Sequence, residues 1–188
     1  MVYGRAARHT WVMRRTARVG RLPALLLGVL AGVTGMATPL EVGRAAPALM
    51  VPQLDGHLFN LAALRGKVVI VNFWATWCAP CRAEMPRLDA FYRRYHGRGL
   101  ELLGLSVDDP NDRGAVIQVM KAFSYPAALA SSARTNDFGP PLAVPITWII
   151  DSAGIVRARL VAGNAVTEQS LEQAVLPLLA HGDARANP

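Results

Sequence analysis

Cysteine is nearly absent from this chain: Cys78 and Cys81 are the only two in 188 residues. That excludes a fold stapled by several disulfides. With only His9, His57, His96 and His181 scattered elsewhere, it also leaves no ligand set of the kind structural zinc requires. Acid is missing from the first 40 residues, so Arg5, Arg8, Arg14, Arg15, Arg18 and Arg21 supply six of the seven net positive charges. The rest of the chain is close to neutral. A basic balance confined to one end does not point to nucleic acid as a partner. Internal repeats and low-complexity blocks are absent too, which excludes a solenoid.

Charge of either sign is missing from Leu22 to Leu40, 19 positions in a row. An arginine-rich stretch followed by an apolar one has the form of an export signal, and Gly35-Met36-Ala37 offers a small-x-small cleavage site. The run is also close to the ~20 residues that span a bilayer. Residues 1–37 are therefore read as a signal peptide or a membrane anchor, 38–46 as a linker, 47–180 as the folded domain and 181–188 as a C-terminal tail. Met13 is an alternative start that would give a 25-residue signal ending at Ala37. Arg14-Arg15 is a poor twin-arginine match, because apolar residues do not follow it. Either outcome places the domain outside the cytoplasm, periplasmic or otherwise extracytoplasmic, soluble or held at the cytoplasmic membrane.

Within the domain, the hydrophobic pattern alternates between strand and helix. Ala48 to Leu54 suits an edge strand interrupted by Pro52, and Leu58, Leu61 and Leu64 are spaced as a short helical turn ending at Gly66. Val68 to Trp74 is continuously apolar, as expected of a central strand covered on both faces. A helix is predicted from near Arg82 to Tyr95, with Met85, Leu88, Phe91, Tyr92 and Tyr95 inward, a kink at Pro86, and Gly97 and Gly99 beyond its end. Leu100 to Val107 completes a βαβ unit. Asp108 to Asp112 fails the calcium-loop pattern and reads as a turn and cap for a helix with Val116, Ile117, Met120 and Phe123 inward. A short strand at 126–130, a loop over 131–141, a hairpin of 146–150 with 155–161 around Asp151-Ser152-Ala153-Gly154, and a last helix from about Thr167 follow. Pro177 should weaken the end of that helix, and a frayed tail is expected from His181.

The two cysteines stand as Trp77-Cys78-Ala79-Pro80-Cys81, between the apolar strand and the helix. A purely structural disulfide would close too small a loop to constrain the unfolded chain much. A dithiol at a helix start is suited to redox chemistry, because unpaired N–H groups and the positive dipole end favour a thiolate.

The chain resembles the thioredoxin superfamily, specifically its exported TlpA/ResA-like thiol–disulfide oxidoreductases, over roughly residues 47 to 180. The resemblance rests on Val71-Asn72-Phe73-Trp74-Ala75-Thr76-Trp77-Cys78-Ala79-Pro80-Cys81-Arg82-Ala83-Glu84-Met85-Pro86 and on Val144-Pro145-Ile146-Thr147-Trp148-Ile149-Ile150-Asp151. It implies an α/β thioredoxin-like fold, a central mixed β-sheet flanked by helices, behind the N-terminal export or anchor segment. It also implies thiol:disulfide oxidoreductase activity with no cofactor beyond the redox-active Cys78–Cys81 pair and no metal. The expected partners are protein disulfides outside the cytoplasm and a membrane donor of thiols, with cytochrome c or cytochrome oxidase maturation a common setting for the group.

On this reading Cys78 is the nucleophile, exposed before the helix, and Cys81 the shielded resolving thiol, while Ala79 and Pro80 set the geometry of the motif. Trp77 and the Val144 backbone, turned toward Cys78 by a cis Pro145, would receive an extended client segment, and Phe138 with its neighbouring prolines would complete the rim. Cytoplasmic thioredoxins carry a buried aspartate where this chain has Asn72, so Glu84 becomes the candidate proton carrier. An exposed first-turn acid favoured by the helix dipole is the alternative for Glu84. Other functions stay open on the same fold: a disulfide-donating oxidase, a peroxiredoxin-like antioxidant, and a non-catalytic metal- or partner-binding module. The peroxide-reducing reading lacks its Pro-x-x-x-Thr-x-x-Cys pattern before either cysteine.

Overall fold

The computed structural model describes residues 40–161 and 166–183; the signal or anchor expected over 1–37 and residues 184–188 of the tail lie outside them. In chain order the strands and helices are β1 (Leu49–Pro52), β2 (Leu58–Asn60), β3 (Val68–Trp74), α1 (Ala79–Tyr95), β4 (Leu100–Ser106), α2 (Arg113–Met120), β5 (Ala127–Leu129), β6 (Thr135–Asn136), β7 (Ile146–Ile150), β8 (Val156–Val161) and α3 (Glu168–Asp183). Five strands form the main sheet in the order β5-β4-β3-β7-β8. β3, β4 and β5 run parallel, whereas β7 lies antiparallel to β3 and β8 antiparallel to β7. This is a mixed sheet with β3 at its centre.

Every residue of β3 is buried, and the pleat sends alternate ones to opposite layers. Val68, Ile70 and Trp74 join a cluster with Cys81, Met85 and Leu88 of α1, Val116 of α2, and Leu171 and Val175 of α3. Val69, Val71 and Phe73 pack on the other side with Leu49, Val51, Phe59, Trp148 and Val156. The strand has no solvent face, which is why its sequence is a run of apolar residues. Asn72 is the exception, and by parity its side chain falls on the α1 side. Beside it, Gly104 of β4 sits where a side chain would be crowded. A Cβ there would lie 3.1 Å from both Trp74 Nε1 and a ring carbon of Tyr125.

The second layer corrects several sequence expectations. β1 is the middle strand of a small antiparallel sheet, β2-β1-β6, and it ends at Pro52. β6 lies inside the segment read as loop. Leu58 is a strand residue opposite Pro52, and only Leu61–Leu64 forms a helical turn, capped by the Asn60 side chain accepting from Ala62 N–H at 3.1 Å. Ile117 is exposed and Phe123 lies beyond the end of α2, because that helix stops at Met120. α1 starts three residues before Arg82 and runs on through Pro86, and α3 continues through Pro177 as far as Asp183. Residues 43–46, read as linker, hydrogen-bond along the start of β8: Gly43 N–H to Val156 O at 2.8 Å, Ala46 N–H to Gly154 O at 2.9 Å. The β7–β8 hairpin turns on Gly154 at φ 76° and on Asp151, whose carboxylate accepts from the Ala153 and Ile155 amides.

Candidate active site

α1 begins directly after Cys78, so both cysteines belong to its first turn. Cys78 keeps extended backbone (φ −85°, ψ 99°) and occupies the N-cap position, where its Sγ accepts from Cys81 N–H at 3.2 Å. Pro80 falls in the first turn, where its missing N–H removes no helical bond. The two sulfurs form a disulfide, with the Cα atoms 5.3 Å apart. Cys78 retains 5% of its surface and Cys81 none, so the cysteine expected to be exposed is itself buried, though less completely than its partner. What stands out from the surface is the frame around it: Trp77 at 70% exposure, Ala79 and Pro80. A reagent or partner reaches Cys78 first, and Cys81 is shielded behind it.

Behind the dithiol lies a buried polar group. β3 and β7 are in register with Asn72 opposite Thr147, and both residues are fully buried. Asn72 Nδ2 donates to Thr147 Oγ1 and to Glu84 Oε1, each at 2.9 Å. Glu84 follows Cys81 by three residues on α1, so the two occupy neighbouring positions on one face of the helix. It is buried, not an exposed first-turn acid, and burial pushes its carboxyl up to about 7 against the opposing pull of the Asn72 hydrogen bond and the Arg87 charge. A carboxyl poised there can exchange a proton near neutral pH.

In front of the dithiol the loop from β3 is clamped to the end of β4. Asp108, 3% exposed, accepts from Thr76 N–H at 2.9 Å, from Thr76 Oγ1–H at 2.6 Å and from Ser106 Oγ–H at 2.6 Å. Val107 N–H donates to Trp74 O at 2.9 Å and extends the pairing toward the motif. Trp77 then forms one wall of a groove of about 480 Å³, whose other walls include Val107, Ala130, Pro140, Pro141, Leu142 and Val144. Leu142 is fully exposed on its rim. The Val144–Pro145 peptide is cis, Val144 lines the groove, and Pro145 itself is buried. Phe138 does not line the groove. Its ring packs against Phe73 at 5.8 Å and Trp148 at 6.3 Å, because the core on that side of β3 still has an open aromatic edge.

The AhpC/TSA family model matches residues 42–159. The thiol-disulfide oxidoreductase ResA of Bacillus cereus is 32% identical over 139 residues, 71% of this chain and 75% of that protein. ResA of Geobacillus thermodenitrificans is 31% identical over 164 residues, 86% of this chain and 92% of its own. The chain is a ResA-like thiol–disulfide oxidoreductase of the thioredoxin superfamily. Among solved structures, a thiol:disulfide interchange protein of the thioredoxin family from Chlorobium tepidum superposes with a TM-score of 0.62 at 28% identity, covering 74% of this chain and 98% of that one. A DsbE-type interchange protein from the same organism gives a TM-score of 0.65 at 25% identity over 74% and 99%.

The oxidoreductase thus brings Trp77 and Val144 to one groove, exposes Ala79 and Pro80 beyond Trp77, and buries Cys78, Cys81 and Glu84. Sequence reasoning missed Asp108, Thr76 and Ser106, taking the acidic run for a turn. Within that run Asp109 caps the 3-10 turn Pro110–Asp112, accepting from Asn111 N–H at 2.9 Å, whereas Asp112, at the N-cap of α2, makes no side-chain capping bond. Thr147 was also missed as a functional neighbour. Its signal was present: a lone hydroxyl in an apolar strand is a polar group that burial obliges to find a partner. No group of three or more His, Cys, Asp or Glu among the described residues could hold a metal.

Proposed function

We propose that this oxidoreductase is an exported reductase of protein disulfides, acting through Cys78 on clients seated in the groove beside Trp77. The observation that carries the reading is the placement of the dithiol. Cys78, with 5% of its surface left, directly follows Trp77 of an apolar groove whose lining runs to Val144 before the cis-proline, and the fully buried Cys81 lies three residues before a carboxyl of raised pKa.

In the reductive direction the Cys78 thiolate attacks one sulfur of a client disulfide. That bond breaks, a mixed disulfide forms, and the first client sulfur leaves as a thiolate that takes up a proton. Glu84 accepts the Cys81 proton. The Cys81 thiolate then attacks Cys78 Sγ, closing the Cys78–Cys81 disulfide seen here and releasing the second client sulfur as a thiolate, which takes back the proton held by Glu84. Two electrons pass from the dithiol to the client, with one proton from Cys81 by way of Glu84 and one from solvent. A membrane-borne thiol donor restores the dithiol, and the apolar, arginine-preceded segment at 1–37 fits delivery to that compartment, as signal or as anchor. Disulfides of oxidised apocytochromes and of copper-site proteins of cytochrome oxidase are the client class we favour.

The test is trapping in the exported compartment. Cys81→Ser retains the attacking sulfur and removes the resolving one, so mixed disulfides through Cys78 should accumulate and their partners name the clients. Absence of any trapped species overturns the reading. A wild-type Cys78–Cys81 disulfide that oxidises dithiol clients, with a reduced form that leaves client disulfides intact, would instead assign the oxidase direction.

A further inference from the structure

Asn72 occupies the centre of the sheet, fully buried, where an apolar side chain would pack without cost in hydrogen bonds. Both of its measured bonds use the same end of the amide: Nδ2 donates to Glu84 Oε1 and to Thr147 Oγ1, while Oδ1 has no partner among the described residues. An amide with two donors at one end and an acceptor at the other has nearly the same shape after a half-turn about its last torsion. A hydroxyl such as that of Thr147 donates or accepts as its partner demands. With Nδ2 toward Glu84, the group matches an ionised carboxylate. With Oδ1 toward Glu84, it accepts from a protonated carboxyl and from the Thr147 hydroxyl together, while both Nδ2 hydrogens turn to the side where Oδ1 now has no partner among the described residues. Each half-turn leaves Glu84 paired. An aspartate at position 72 would not do this, because it would compete with Glu84 for the same proton.

We propose that Asn72 and Thr147 form a proton-neutral adaptor that keeps the Glu84 carboxyl hydrogen-bonded, and hence held on the Cys81 side of α1, in both of its protonation states. The inference rests on Glu84 as the proton carrier and assigns the other two as its positioning residues. Thr147 stands two residues after Pro145 on β7, so the adaptor also joins the strand carrying the docking loop to the carboxyl behind the dithiol. The charged or titratable groups that act on Glu84 are Arg87 on its own helix and Tyr125 from the segment before β5, and Tyr125 in turn feels Asp89. β3 and β7 contribute no titratable side chain. From α3, Glu168 and Glu172 are engaged with Arg94. The sheet side of Glu84 is therefore met by neutral hydrogen bonding alone.

The test is the carboxyl carbon-13 titration of Glu84 in the oxidised full chain, with the resonance assigned from Glu84→Gln. Thr147→Val keeps the shape and removes the hydroxyl, leaving one Nδ2 hydrogen unsatisfied whenever the amide faces an ionised Glu84. Its midpoint should rise by roughly half a pH unit, because the ionised state is left with an unpaired donor while the protonated state loses only the second of two bonds to Oδ1. Asn72→Leu should raise it at least as far, and Thr147→Ser should restore the wild-type curve. A Thr147→Val midpoint that coincides with wild type, or a Thr147→Ser midpoint that moves with Thr147→Val, overturns the adaptor. Should Asn72→Leu not fold, the Thr147 pair decides alone. The parent reading is tested separately, by the pH dependence of client disulfide reduction in Glu84→Gln. A profile unchanged there removes Glu84 from proton transfer while the titrations still judge the adaptor.

Discussion

Asp108 offers the sharpest test of how the site is held, because its role rests on four measured bonds and no sequence pattern announced it. Its carboxylate takes up the Thr76 amide and hydroxyl and the Ser106 hydroxyl, and its own N–H donates back to Ser106 Oγ at 3.1 Å. Asp108→Ala deletes three charge-assisted bonds, each worth ~1.5–3 kcal/mol net, but Thr76 is only half-buried and water recovers part of the loss. The expected cost is about 3 kcal/mol. In urea, with a slope near ~2 kcal/mol/M, that lowers the midpoint by about 1.5 M. The assay is urea unfolding followed by far-UV circular dichroism, with the Cys78–Cys81 disulfide intact throughout. A double-mutant cycle with Thr76→Val isolates the hydroxyl bond and should return a coupling of about 1–2 kcal/mol. Since Thr76 immediately precedes Trp77, the loosened loop should also raise KM for a protein client several-fold. An Asp108→Ala protein within about 0.5 kcal/mol of wild type, or a coupling near zero, would refute the clamp.

Three further outcomes are expected. Glu84 binds its proton up to about pH 7 in the folded protein and up to 4.5 as a model group. The raised pKa means that the unfolded chain releases this proton first, so the stability linked to it is present below pH 4.5 and is lost as pH rises to about 7. Glu84→Gln should therefore match wild type near pH 4 and exceed it at pH 8 by roughly 2 kcal/mol, allowing for partial solvent screening; equal stability at both values contradicts the burial argument. Gly104→Ala places a methyl group 3.1 Å from Trp74 Nε1 and from the Tyr125 ring, and thermal unfolding should report a loss of ~1–3 kcal/mol. Trp77→Ala, at an exposed position, should leave stability within ~0.5 kcal/mol yet raise KM for protein clients about tenfold, ~1.4 kcal/mol of docking. A KM unchanged by the loss of the indole would detach the groove from client binding.

Much of the scaffold was legible because burial writes itself into composition. Val68 to Trp74 could only be a strand covered on both faces, and the change of period after Pro80 could only be a helix. The errors gathered where one residue's environment is supplied by a distant segment. Leu58 looks helical beside Leu61 and Leu64, yet the backbone of Pro52 pairs with it as strand. Ile117 looks like core, yet α2 ends too soon to bury a second face. Phe138 looks like a docking rim, yet Phe73 and Trp148 draw it inward.

The same division runs through the site. A single dithiol, its place at the start of a helix, and the helical face that Glu84 shares with Cys81 could all be read from the chain, because each is a matter of local spacing. Packing between distant segments left Cys78 slightly less buried than Cys81, set Asp108 to grip the loop before the motif, and brought Asn72, Thr147 and Glu84 together. Those three sit 12 and 75 residues apart in sequence, counted from Asn72. Their meeting depends on the β3–β7 register and on α1 lying across the sheet, and hydrogen bonds between buried partners so far apart leave no period in the chain that folds to make them.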